Sequence, residues 1–297
     1  MSSSGRNETD SWTILKTLNW TTDYFKRRAI DTPRMDAEIL LAHVLGCERI
    51  DLYVRYDQPL NDDELADLKS LIKRRATFEP IAYITGVKEF WSLLFQVSPA
   101  VLIPRPDTER LVEAAIDYLS DLVGMPTVKI LELGVGSGAI SVAIANELRA
   151  GRFLATDRSW PAIRVARNNA RRNGVDQYIH FLVGDWLSPL SIERGQFDMI
   201  VSNPPYVAKA DIDSLSDDIR RFEPLAALDG GADGMDDIKA ILAHSHRHLR
   251  TDGVVMLEIG YDQKAALQHL VRQLGNYSSI RFLKDYSGHD RVAVIQK

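Results

Sequence analysis

Residues 128–149 read VKILELGVGSGAISVAIANELR. The stretch opens on an apolar run of strand length, VKILELG, and closes on AISVAIANELR, which reads as a helix. Between them lie Gly134, Gly136 and Gly138, three glycines in five positions. Glycine reaches positive φ without strain and lets a ligand approach the backbone. A tight strand-to-helix turn is therefore expected, with space above it. Alone the signal is weak, because any such turn can use glycine. The spacing G-x-G-x-G also differs from the dinucleotide fingerprint G-x-G-x-x-G.

The same alternation continues to the end of the chain. Further strands are predicted at RFLATD, YIHFLVGD, FDMIVS, GVVMLEIG, SIRFLK and RVAVIQ. Helices are predicted at WPAIRVARNNARRNG, MDDIKAILAHSHRHLR and DQKAALQHLVRQLG. Strands separated by helices call for an α/β fold, a mainly parallel sheet with helices on both faces. In such sheets ligands sit at the carboxyl ends of the strands.

Towards the N-terminus the pattern changes. Up to about Ala76 it is helical: SWTILKTLNWTTDYFKRRA, then TPRMDAEILLAHVLG with Thr32 as cap and Pro33 in the first turn, then NDDELADLKSLIKRRA opening on Asn61. The segment EPIAYITGVKEFWSLLFQVSPAVLIP is rich in aromatic and β-branched residues and reads as a short strand pair joining two domains. RPDTERLVEAAIDYLSDLV begins another helix. The expected organisation is a helical domain over 1–78, a β-hairpin linker over 79–105 and an α/β domain over 106–297.

Composition narrows the classes. The 297 residues are 45% hydrophobic and 26% charged, enough for a sizeable core, with a formal charge of −5. A protein gripping long stretches of phosphate backbone would show a basic surplus. The KRR runs at Lys26–Arg28 and Lys73–Arg75 fall at helix ends, where cations suit the dipole, and read as solvated termini. The single cysteine, Cys47, rules out an intrachain disulfide and follows a helical run, so it reads as a small buried residue. The serine-rich start, MSSSGRNETDSW, has no apolar signal core, and no run approaches membrane-spanning length. A cytoplasmic protein is expected, with no metal: His244 and His248 lack the carboxylate of a zinc motif and read as exposed or interfacial, and Gly231 spoils DGGADGMDD as a calcium loop, leaving a helix entry.

Four successive strand ends carry the chemistry. After the glycine turn, the second ends at Asp157, which can accept from both hydroxyls of a ribose or cap the next helix. The third ends in VGDWL, where Asp185 can accept from an adenine amino group and Trp186 can cover the base, or serve as a core residue. The fourth, FDMIVSNPPYVAK, leaves its strand through Asn203-Pro204-Pro205-Tyr206. Two prolines pin φ and donate no hydrogen bond, and Pro204 pushes Asn203 towards extended geometry. The product is a stiff loop with bare carbonyls, suited to a small planar polar group.

In combination these four ends resemble the class I S-adenosylmethionine-dependent methyltransferases, and N-P-P-Y the members that methylate planar nitrogens. EPIAYITGVKEFWSLLFQVSPAVLIPRPDTERLVE, ELGVGSGAIS, SNPPYV, FEPLAALDGGADGM and GHDRVAV are similar, in this order, to the HemK/PrmC family of release factor glutamine N5-methyltransferases. The resemblance implies a Rossmann-like methyltransferase domain with a seven-stranded sheet, S-adenosyl-L-methionine as cofactor, and peptide chain release factors as protein substrates. It implies that Gly134, Val135, Gly136, Ser137 and Gly138, with Asp157, Trp186 and Asn203, bind the cofactor. Asn203, Pro204, Pro205 and Tyr206 would hold the glutamine. A monomer without direct nucleic-acid contact is expected.

An amide nitrogen is a poor nucleophile because its lone pair is delocalised. If the Asn203 oxygen and the Pro204 carbonyl each accept one N–H, off the amide plane, the nitrogen is favoured in a pyramidal form. Tyr206 would stack on the amide. The alternative is a methyltransferase for adenine or guanine amino groups, using the same loop on a flipped base. The acidic balance and the junction segment weigh against it. A non-catalytic nucleotide-binding module, or a dehydrogenase of similar topology, is the third possibility. Arg105 could approach the ligands or anchor the junction.

Overall fold

The computed structural model describes residues 11–122, 127–149, 151–191 and 195–297; the serine-rich start, residues 1–10, lies outside them. By its contacts the chain divides into two units. Residues up to Gly86 form one together with Asp217–Phe222, and Val87–Ser216 with Glu223–Lys297 form the other.

Among the described residues the first unit holds five helices in its N-terminal part: α1 (Ile14–Arg27), α2 (Pro33–Leu45), α3 (Arg49–Val54), α4 (Asp62–Arg75) and α5 (Ile81–Thr85). Asn61 caps α4 in a reciprocal box with Glu64, at 2.9 and 2.8 Å. Thr32 does not cap α2; its hydroxyl donates to Asp36 at 2.8 Å, and Asp36 accepts from Arg75 at 2.7 Å. Arg75 is thus a buried ion pair and not a solvated terminus. Its spacing explains this: Leu68, Ile72 and Arg75 share the buried face of α4, while Lys73 stays exposed. A cation so placed needs its anion, because an unpaired buried charge costs several kcal/mol, on the order of 3–5. Cys47 is half-buried against this core, and burial raises its thiol pKa, which keeps it protonated. Part of the segment read as a strand pair is helical instead: Pro80 opens α5 and left-handed Gly86 closes it.

In the second unit β1 (Val87–Phe90) and β2 (Leu93–Gln96) make an antiparallel hairpin. Among the described residues the main sheet has seven strands: β3 (Lys129–Leu133), β4 (Arg152–Asp157), β5 (Ile179–Val183), β6 (Phe197–Ser202), β7 (Leu249–Glu258), β8 (Ser279–Lys284) and β9 (Asp290–Gln296). Each coincides with a strand expected from the sequence, although β7 starts at Leu249, ahead of GVVMLEIG. Their order is β5-β4-β3-β6-β7-β9-β8, parallel except at β9, which runs antiparallel to both neighbours. The helices are α6 (Glu109–Ser120), α7 (Ala139–Glu147), α8 (Trp160–Arg172), α9 (Asp217–Phe222), α10 (Asp236–His248) and α11 (Lys264–Leu274), with α9 grouped in the first unit.

Period-2 alternation distributes the central strands over two cores. Ile130, Met199 and Val201 join α6–α8 and the hairpin residues Phe90 and Phe95. Leu131, Leu133 and Ile200 face α10 and α11. His248 belongs to this second side and is 3% exposed, whereas His244 is exposed. The expectation of two surface histidines fails for His248, because Ile241, Ser245 and His248 line one buried stripe of α10. Burial lowers its pKa, and no cluster of metal-ligating side chains occurs among the described residues.

Asn169 on α8 locks the glycine turn to the hairpin. Wholly buried, it accepts from the Gln96 N–H at 2.7 Å and donates to the Gln96 and Ser137 carbonyls at 2.9 and 2.8 Å. Asn169→Ala strands these partners and is expected to cost about 2–4 kcal/mol, given roughly 1–3 kcal/mol per buried group left unpaired. Chemical denaturation reads this directly; a loss under about 0.5 kcal/mol would contradict it.

Candidate active site

The strand order reverses between β3 and β6. Leu133 and Ser202 are partners across this pair, and the Ser202 hydroxyl donates to the Leu133 carbonyl at 2.7 Å. The chain leaves β3 through Gly134–Gly138 and leaves β6 through Asn203–Tyr206, so the two loops emerge side by side at the switch point.

A cleft of about 1070 Å³, open mouth included, lies over these strand ends. Gly134, Val135, Gly136 and Ser137 line it, as do Asp157, Asp185 and Trp186. Asn203 and Pro205 line it too. Gly138, Pro204 and Tyr206 do not. Gly138 turns instead into α7 at φ +84°, and a Cβ there would sit 3.2 Å from Ala166, so its role is close packing of the turn on α8.

Backbone bonds shape the turn. Gly134 and Val135 N–H both donate to the Thr156 carbonyl at 2.9 Å. Gly136 N–H donates to Asp157 Oδ2 at 2.9 Å and Ser159 N–H to Oδ1 at 2.8 Å. Each Asp157 oxygen thus holds one backbone donor and retains a lone pair for a ligand hydroxyl. Burial raises the Asp157 pKa, and these two bonds oppose the rise. Helix capping falls to Ser159, which accepts from Ala162 N–H at 3.3 Å. Trp186 stands at φ +45°, a left-handed conformation that costs an aromatic residue about 1–3 kcal/mol. Its ring packs against Gly134, where a Cβ would be 3.2 Å away, and its Nε1 donates to Asp237 at 3.2 Å. Asp185 is exposed at the cleft edge.

The second loop is fixed from behind. Gln263 donates to the Tyr206 and Gly234 carbonyls at 3.0 and 2.9 Å, and Val207 exchanges bonds with Leu228 and Gly230. Gly234 is required here, since a Cβ would approach the Tyr206 carbonyl to 2.4 Å. This is the entry to α10 expected of DGGADGMDD. The Pro204 carbonyl accepts no hydrogen bond from any described residue. Asn203 donates through Nδ2 to the Thr108 hydroxyl at 3.2 Å, and its Oδ1 takes no bond from any described residue. The Tyr206 hydroxyl donates to Glu258 at 3.2 Å, and burial raises its pKa.

Two family models match the chain: the PrmC N-terminal domain over residues 16–86 and the methyltransferase small domain over 112–219. The release factor glutamine methyltransferase of Rhodopirellula baltica is 37% identical, covering 96% of this chain and 97% of its own. That of Geobacter sulfurreducens is 40% identical over 95% of each chain, and that of Escherichia coli 42% over 90% and 93%. The chain belongs to the release factor glutamine methyltransferase family. At the level of fold, the family member described here resembles the human methyltransferase 10 domain containing protein, with a TM-score of 0.51 and 17% identity, covering 69% of this chain and 88% of that one. It also resembles the hMettl16 catalytic domain solved with a MAT2A 3'UTR hairpin, with a TM-score of 0.56 and 17% identity, over 93% and 91%. The fold is that of the class I methyltransferases, enzymes that use S-adenosylmethionine.

Two cleft features, Thr108 and Glu132, escape the motif reading, and for a third, Arg105, it offers ligand contact or junction anchor. Arg105 lines the cleft and pairs with the buried carboxylate of Glu223, which also accepts Ile103 N–H at 3.1 Å. Thr108 stands behind Asn203. Glu132, 1% exposed, reaches the cleft from β3 and accepts from the Ser141 N–H at 3.0 Å and from its hydroxyl. An acid inside an apolar strand, as in KILELG, is the sequence signal for it. Burial pushes the Glu132 carboxyl up to about 8 from the ordinary 4.5.

Between those two values the folded protein holds a proton that the unfolded chain releases, so Glu132 makes stability fall as pH rises. Glu132→Gln is expected to stabilise the ligand-free protein by up to about 4 kcal/mol at pH 8, the gain shrinking towards pH 5. Parallel unfolding profiles across that range would contradict the assignment.

Proposed function

We propose that this protein transfers the methyl group of S-adenosyl-L-methionine to the side-chain amide nitrogen of the glutamine in the Gly-Gly-Gln motif of peptide chain release factors. The observation that carries this reading is a pair of acceptors that no described residue engages, Asn203 Oδ1 and the Pro204 carbonyl, on the loop beside the glycine turn. Near-full-length relatives bearing that activity in their names support the substrate.

The cleft suits the donor. Asp157 offers two lone pairs for ribose hydroxyls, Trp186 a ring for adenine, Asp185 an acceptor for its amino group, and Gly134–Ser137 a surface without side-chain bulk at two of four positions, with Gly138 packing the turn beneath it. Glu132 favours a cationic ligand, which would draw its carboxyl back to the charged form. Bound there, S-adenosylmethionine supplies an electrophilic methyl on a sulfonium.

The chain's own residues then act by placement. Asn203 Oδ1 and the Pro204 carbonyl take the two N–H groups of the glutamine amide and aim its lone pair into the cleft. The prolines keep that pair of acceptors rigid, and Tyr206 fixes the amide plane. No strong base is required before attack, since the nitrogen becomes acidic only as it gains the methyl group. Orientation of this kind can supply about 7–11 kcal/mol of a barrier. The N-terminal helical domain, residues 1–78, would recognise the release factor; Trp12, Trp20, Tyr53 and Tyr56 leave aromatic surface exposed on it. The protein would act as a cytoplasmic monomer.

Incubation with labelled S-adenosylmethionine and a release factor should label the factor, and its Gln→Ala form at the Gly-Gly-Gln tip should stay unlabelled. Label on DNA or RNA instead, or on none of the acceptors, would overturn the proposal. Asn203→Ala is expected to slow transfer by about 10²–10³-fold, as for loss of one preorganised polar contact, with a smaller change in cofactor affinity. Near-normal turnover would remove Asn203 from the mechanism.

A further inference from the structure

The acceptor loop has an anchoring problem that its own residues leave unsolved. Pro204 and Pro205 fix φ but carry no N–H, and φ alone does not place a carbonyl, because ψ stays free. Such a loop must be tied through its carbonyls, by donors from elsewhere in the chain. Three carbonyls follow one another, each in a different environment. That of Pro204 accepts no hydrogen bond from any described residue. That of Pro205 packs on Gly230, where an added Cβ would stand 2.7 Å from it. That of Tyr206 accepts from Gln263 Nε2 at 3.0 Å.

Gln263 is 7% exposed and stands just ahead of α11. Its Nε2 also donates to the Gly234 carbonyl at 2.9 Å, and its Oε1 accepts the Gly260 N–H at 2.9 Å. All three partners are backbone groups. An N–H only donates and a carbonyl only accepts, so the direction of this amide is fixed, with no side-chain proton left to assign. The segment it bridges to is DGGADGM, residues 229–235, the entry to α10. The two backbones run against each other: Val207 N–H donates to the Leu228 carbonyl at 3.0 Å, and Gly230 N–H to the Val207 carbonyl at 2.9 Å. Glycine permits that approach, since a Cβ on Gly230 or Gly234 would collide with the Pro205 or Tyr206 carbonyl. At its other end the loop is held by Asn203 Nδ2 on the Thr108 hydroxyl at 3.2 Å.

We propose that Gln263 is a positioning residue for methyl transfer: by donating to the Tyr206 and Gly234 carbonyls together it seats the N-P-P-Y loop on the glycine-rich segment, and so sets where Asn203 Oδ1 and the Pro204 carbonyl stand against the glutamine. The proposal rests on the roles of Asn203 and Pro204 given above. What it requires of Gln263 is a side-chain NH₂ shared by two carbonyls, which shape alone does not supply.

Two substitutions separate donor from shape. Gln263→Met keeps the length and removes the donors. Gln263→Glu keeps the shape and turns an oxygen on both carbonyls. Steady-state kinetics on a release factor are measured well below each variant's melting temperature, with binding of S-adenosylhomocysteine in parallel. Gln263→Met is expected to lose about tenfold in kcat and Gln263→Glu about 10²-fold, the latter being the scale of a reacting group displaced by about 1 Å. Affinity for S-adenosylhomocysteine should stay within about threefold in both, because Gln263 does not line the cleft. A Glu variant with wild-type kcat overturns the proposal. So does an affinity for S-adenosylhomocysteine that falls in step with kcat, which marks a general loss of structure. Should the Glu variant fail to fold, Gly234→Ala provides an independent test, since its Cβ presses on the same Tyr206 carbonyl. It is expected to lower kcat, and the double variant with Gln263→Met to lose less than the product of the two single losses. Losses that simply multiply are a contrary result. Wild-type turnover on the release factor is the control: its absence would refute the proposed reaction itself, whereas its presence with indifferent Gln263 variants refutes only the clamp.

Discussion

The pairing of β3 with β6 is the constraint from which the site follows. Because Leu133 and Ser202 are neighbours in a parallel ladder, the loops that leave them are adjacent and point the same way. One is stripped of side chains at Gly134, Gly136 and Gly138; the other is stiffened by Pro204 and Pro205. Neither would be a site alone. A glycine turn without the second loop has nothing to present an acceptor, and a proline loop without the turn has no space for a donor beside it. The parallel sheet supplies the juxtaposition at no cost in loop length, since each chain end arrives already aligned.

Rigidity is provided from outside the cleft. Asn169 holds the glycine turn through the Ser137 carbonyl, Gln263 holds the Tyr206 carbonyl, and Glu258 with Thr108 holds the polar ends of Asn203 and Tyr206. These residues come from α8, the start of α11, β7 and the segment before α6. Such long-range fixing suits a reaction in which the nucleophile is weak and placement is the main lever. It also explains why carboxylates sit where burial penalises them: Glu132 gives the cleft polarity, and Glu258 accepts the Tyr206 hydroxyl behind it.

Much of this was legible in the sequence. Apolar runs of strand length, set between helical stretches, located the seven strands described in the main sheet, most clearly the central ones buried on both faces. Glycine and proline marked both loops, since their backbone restrictions are written in the residue itself. What stayed hidden depends on partners far along the chain. Arg75 and His248 look like surface residues until the helix face they occupy is known, and both turn inward. Residues 81–85 carry β-branched and aromatic side chains yet form a helix between Pro80 and Gly86. Thr108 and Asn203 are 95 positions apart, and only the fold brings them into hydrogen-bond contact. The acids in ILELG and VMLEIG were nonetheless visible anomalies, charged residues inside apolar strands.

The most direct measurement is a crystal structure with S-adenosylhomocysteine and a Gly-Gly-Gln peptide bound together. The account predicts the glutamine amide nitrogen at hydrogen-bond distance, about 2.9 Å, from both Asn203 Oδ1 and the Pro204 carbonyl, with the sulfur across the glycine turn on its open side. A glutamine seated elsewhere, or an Asn203 amide presenting its NH₂ to the substrate, would contradict it.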